Sequence, residues 1–113
     1  MAESKMKQGI RMVHSVYDGT TELQVSGTTY YSLFNLTAGT WIITLTFYTY
    51  AGEVLICYGN TINNNILECG KSSFELGQSG AGIIQLNTPT TIQMYCTQNT
   101  TLYRFKAEAI RIA

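Results

Sequence analysis

The stretch from Thr40 to Tyr50, TWIITLTFYTY, decides how this chain is read. At period two, Trp41, Ile43, Leu45 and Phe47 fall on one side, and Ile42, Thr44, Thr46, Tyr48 and Tyr50 on the other. The first set is a core face. The second is semi-polar and aromatic, the composition a strand presents when its outer side meets another subunit rather than bulk water. A strand covered on both sides in a small domain predicts oligomerisation.

Outward from this strand the same period dominates, in a chain rich in Thr, Tyr and Asn with 10 Gly and one Pro. Strands are expected at Ile10 to Tyr17, Glu22 to Ser26, Thr28 to Leu36, Glu53 to Tyr58, Ile66 to Cys69, Ser72 to Leu76, Gly82 to Leu86, Thr90 to Thr97 and Leu102 to Ile112. Asp18-Gly19, Asn87-Thr88-Pro89 and Gln98-Asn99 read as turns, NTINNN after Gly59 as a loop tip, and GQSGAG as a flexible connection. Short strands at spacings of roughly 8–12 residues predict an all-β, antiparallel sandwich or barrel. The polar start, residues 1–9, reads as an arm, and residues 10–113 as a single domain.

The 113 residues suit one core. Lys and Arg number 7, Asp and Glu 7, and only 12% of residues are charged, about half the usual share of roughly 25%. A neutral chain lacks the electrostatic footprint for phosphate backbones or anionic lipid, so neither nucleic acid nor membrane is an expected partner. A hydrophobic share of 45% excludes an intrinsically disordered chain. No apolar run approaches the ~20 residues of a spanning helix, and MAESKMKQG lacks a signal-peptide core, so synthesis in a cytosol is expected. The two glycosylation-type triplets at Asn35 and Asn99 are read as chance.

Catalytic inventory is thin: one His and scattered carboxylates. His14 has no nucleophile-elbow pattern beside it and reads as structural. His14 with Cys57, Cys69 and Cys96 matches the count of a Cys3His zinc site, but their wide spacing lacks the close pairs such sites use. The cysteines read instead as reduced, buried, small hydrophobes, with no disulfide framework. Gly77, Gly80 and Gly82 lack the Lys-Ser or Lys-Thr of a phosphate loop, and Glu53, Glu68, Glu75 and Glu108 show no convergence. The expectation is a protein that is not an enzyme, without metal or cofactor. Asn60, Asn63, Asn64 and Asn65 are the candidates for a ligand loop.

Two stretches carry a family resemblance. FNLTAGTWIITLTFYTY (Phe34 to Tyr50) and GIIQLNTPTTIQMYCTQNTTLYRFKAEAIRIA (Gly82 to Ala113) resemble paired motifs at the C-terminal ends of bacteriophage tail-fibre, head-fibre and capsid-decoration proteins. The closest matches are Leu86 to Thr91 and the ending Ala109-Ile110-Arg111-Ile112-Ala113. The resemblance implies an antiparallel jelly-roll β-sandwich, TNF/C1q-like, that assembles as a homotrimer, with no catalytic set to carry over. The middle of the chain, with its Asn tip and cysteines, departs from the pattern, so no ligand identity is transferred.

Under this resemblance the two-faced strand lies near a threefold axis, and Tyr48 and Tyr50, with Tyr95 and Tyr103, are expected at the trimer contact. The implied role is a virion structural protein, a capsid decoration or short head fibre, with Lys5, Lys7 and Arg11 docking the arm on partners such as the major capsid protein. The alternative is a tail-fibre or baseplate tip that recognises host cell-surface glycan.

Overall fold

The structure, a computed structural model, describes residues 13–69 and 78–113. Its strands are β1 (Val13–Val25), β2 (Tyr30–Leu36), β3 (Gly39–Tyr48), β4 (Val54–Tyr58), β5 (Thr61–Cys69), β6 (Gln78–Leu86), β7 (Thr90–Cys96) and β8 (Thr100–Arg111). They form two antiparallel four-stranded sheets, ordered β1-β8-β3-β6 and β2-β7-β4-β5. Among the described strands only the β4–β5 hairpin stays within one sheet, and every other successive pair changes sheet. That path is the winding of a jelly roll.

The period-two reading of β3 holds. Trp41, Ile43, Leu45 and Phe47 are buried against the facing sheet, in one cluster with Phe34, Leu36, Ile56, Ile92 and Met94. Each such side chain contributes about 1.5–3 kcal/mol by leaving water. Ala109 and Ala107 stand beside Ile43 and Leu45, and their small side chains leave room for the large ones. The indole N–H of Trp41 donates to the Thr37 carbonyl at 2.9 Å, so the largest core residue carries no unsatisfied polar atom.

Three expectations about connections are corrected. Asp18-Gly19 is not a turn: β1 runs through it, because the long strand β8 offers a partner along its whole length. Between Val16 opposite Ala107 and Thr21 opposite Phe105, β1 advances five residues against two, and Gly19 takes φ +89 in the resulting bulge. The NTINNN segment is not a loop tip: the turn is confined to Gly59 and Asn60, and Asn63, Asn64 and Asn65 belong to β5. QSGAG is likewise strand, the start of β6.

Glycine serves close approach in β6. A Cβ on Gly80 would lie 2.6 Å from Cys69 Sγ, and one on Gly82 would lie 2.7 Å from the Ile66 carbonyl oxygen. The edges β5 and β6 of the two sheets therefore meet with no room for a side chain between them. The expected strands Ser72 to Leu76 and the arm residues Lys5, Lys7 and Arg11 lie outside the described residues.

Candidate functional site: the outer face of the first sheet

The register of β1-β8-β3-β6 arranges its outer face in rows. Ile42 of β3 pairs with Ile83 of β6 on one side and Ile110 of β8 on the other. Ile83 is 67% exposed. The next row holds Ala81, Thr44 and Glu108, and the next Ser79, Thr46 and Lys106. Lys106 Nζ lies 3.4 Å from Glu108 Oε1, an ion pair in the middle rows. Such an exposed pair is worth at most about 1 kcal/mol. At the far end stand the tyrosines.

Tyr48 and Tyr103 stack with ring centroids 4.9 Å apart at 16°, and Tyr50 meets both edge-on at 6.2 and 5.7 Å. Tyr50 is 52% exposed. Three of the four tyrosines expected at a trimer contact are thus gathered in one cluster. Tyr95 is not among them: β7 belongs to the other sheet, where Tyr95 packs on Tyr30 at 4.9 Å. Below the cluster, Thr49 is fully buried, its hydroxyl donating to the Thr101 carbonyl at 2.9 Å and lying 2.6 Å from Thr100 Oγ1.

The asparagines have local duties. Asn60 holds φ +55 because Gln93 grips it twice: the Asn60 backbone N–H donates to Gln93 Oε1 at 2.9 Å, and Gln93 Nε2 donates to Asn60 Oδ1 at 2.6 Å. Asn64 Nδ2 donates to the Tyr58 carbonyl and Asn65 Nδ2 to the Ile62 carbonyl, both at 3.2 Å. These bonds shape the β4–β5 hairpin, whose register skips twice. Only Asn63 leaves its side chain free of a bond among the described residues, its backbone N–H reaching Thr61 Oγ1.

The three cysteines are free and buried. Burial raises all three thiols above their ordinary range, that of Cys96 to about 11. Among the described residues no group of His, Cys, Asp and Glu is placed to hold a metal ion, and no helix is long and apolar enough to cross a membrane. His14 is in β1, on the sheet opposite the cysteines. Glu68 and Glu108 also sit on different sheets.

No family model matches this chain, and no curated protein matches it by sequence. By structure it superposes on the Eiger TNF of S. frugiperda with a TM-score of 0.67 at 10% identity, over 92% of this chain and 94% of that one. The chain folds as a TNF-like jelly roll. The same jelly roll superposes on a protein of the acid-stable capsid of Helicobacter pylori bacteriophage KHP30, with a TM-score of 0.54 at 10% identity over 90% and 95% of the two chains. At such identity the likeness carries the fold, and what this jelly roll does must be argued from its own surface.

Sequence reading missed the isoleucine row. Ile42 and Ile110 alternate correctly in their strands, but only the register brings them beside Ile83. Arg104 was missed as well, for a reason in the backbone. Leu102 and Phe105 are both buried, so Tyr103 and Arg104 between them share the outer face, a bulge that strict alternation cannot anticipate.

Proposed function

We propose that this chain is a non-enzymatic structural protein of a bacteriophage particle, a homotrimeric jelly-roll head that decorates the capsid or forms a short head fibre. The observation that carries the reading is the outer face of β8-β3-β6: an isoleucine row at one end, stacked tyrosines with Arg104 beside them at the other, and small neutral residues with one Lys–Glu ion pair between. A face of that composition favours another protein surface over water, and its isoleucine end favours a second copy of the same sheet region, with the Arg104 side of the tyrosine end left at the margin of the contact. The capsid jelly roll of phage KHP30 supports the particle assignment, and the TNF-like fold supports trimers.

Light scattering and a binding comparison test both parts. The purified chain is expected at three protomer masses, and labelled protein is expected to bind capsids stripped of decoration. Binding to intact host cells and not to capsids would end the decoration reading and move the chain to a receptor-binding tip.

A further inference from the structure

The cleft beside the tyrosine cluster holds polar groups that the fold leaves unused. Two bulges meet at the same level on adjacent strands. In β8 the bulge sets Arg104 at φ +53, a left-handed conformation that a non-glycine residue holds only where its surroundings impose it. In β1 the bulge holds Gly19 at φ +89, beside Lys106 of β8, with no side chain of its own to fill the space. Between them and β6 opens a cleft of about 510 Å³, lined by Gly19, Thr46, Tyr48, Gln78, Ser79 and Arg104. The Arg104 guanidinium stands 5.8 Å from the centroid of the Tyr48 ring. Among the described residues it has no acidic partner, and the Gln78 amide and Ser79 hydroxyl have no hydrogen-bond partner.

We infer that this cleft binds a sugar bearing a single carboxylate, of the uronic or sialic type. The planar guanidinium pairs with both oxygens of a carboxylate, and the Tyr48 ring beneath it restricts its orientation. Gln78 and Ser79 supply paired donors and acceptors of the kind sugar hydroxyls require. The tyrosine rings form an apolar wall for the C–H face of a pyranose. The volume lies within the range of about 300–1,000 Å³ usual for small-molecule sites. The rest of the lining selects an acidic sugar over a bare anion: besides Arg104 it offers the uncharged Gln78 and Ser79 side chains and a tyrosine ring, which a pyranose can use and inorganic phosphate cannot. The inference stands on this geometry and not on the virion reading.

The test titrates the full chain with glucuronate and with N-acetylneuraminate by calorimetry and saturation-transfer NMR, with glucose and inorganic phosphate as controls. At least one acidic sugar is expected to bind saturably, with glucose at least tenfold weaker and phosphate without saturable binding. R104Q should weaken binding at least tenfold and R104K at least threefold, because the fork is lost while the charge remains; K106Q should leave it unchanged. If R104Q does not fold, S79D, which sets a carboxylate inside the cleft, should abolish binding in its place. No saturable binding of either acid, equal binding of phosphate, or full binding by folded R104Q would each overturn the assignment. Light scattering on the same samples keeps the two readings separate: a trimer that does not bind refutes the cleft alone, and a monomer that binds refutes the trimer alone.

Discussion

Replacing Ile83 by Asp separates the proposed interface from the fold. Full burial of an isoleucine side chain is worth about 1.5–3 kcal/mol. Ile83 is 67% exposed in the single chain, so subunit contact has about two thirds of that gain available, about 1–2 kcal/mol per protomer. Three copies make about 3–6 kcal/mol per trimer, a fall of roughly 10²- to 10⁴-fold in the association constant at about 1.4 kcal/mol per decade. Desolvating the new carboxylate adds to the loss. In the isolated fold the same change acts at a surface position and costs about 0.5 kcal/mol, or somewhat more for the poor strand propensity of Asp. Light scattering over a dilution series should therefore show I83D as a folded monomer where the parent is a trimer, with far-UV circular dichroism nearly unchanged and a urea midpoint close to that of the parent once it is diluted to monomer. Y48D, at the other end of the face, should act in the same direction. If I83D keeps the parent's mass through the dilution series, the isoleucine row is not at the interface.

Further outcomes follow from the packing. G80A should cost about 1–3 kcal/mol in urea denaturation because its methyl meets Cys69 Sγ, and C69A in the same chain should recover at least about 1 kcal/mol of it. G82A should not be recovered by I66A, since the nearest atom is the Ile66 backbone carbonyl; recovery there would refute the account of the β5–β6 approach. Q93A should lower stability by about 1–2 kcal/mol by releasing both bonds to Asn60, and N60G should cost less because glycine accepts the positive φ. The contribution of Cys96 to unfolding free energy should be level below about pH 9 and be lost between about pH 9 and about pH 11, because the unfolded thiol ionises near 9.0 while the folded one resists until about 11. C96A should reduce that alkaline fall, and an equal fall in C96A would assign it to other groups.

Where a strand's own pattern carries the information, the sequence was readable. TWIITLTFYTY sorts its faces without help, and Gln98-Asn99 and Asn87-Thr88-Pro89 turn where their chemistry says. Other positions depend on neighbours far along the chain. Gly80 and Gly82 look like a flexible linker until β5 is placed against them. Asn63 to Asn65 look like a tip until the hairpin registers show where their amides are used. Tyr95 and Tyr103 are equivalent in sequence, and only the strand order sends one to each sheet. At the tyrosine end, the bulge at Arg104 changes which residues share a face, and that bulge belongs to the pairing of β8 with β1 and β3 rather than to any local motif.

The placement of the thiols has an experimental consequence. Cys57, Cys69 and Cys96 lie in β4, β5 and β7, all in the sheet opposite the proposed interface, and all three are buried. A thiol reagent added to the native protein can therefore modify it only when that sheet opens, so the labelling rate times the breathing of one half of the sandwich. The half that would carry the subunit contacts holds no such clock. A slowing of labelling on assembly would mean that joining the first sheets stiffens the second, which makes the unaltered protein a direct gauge of mechanical coupling across its own core.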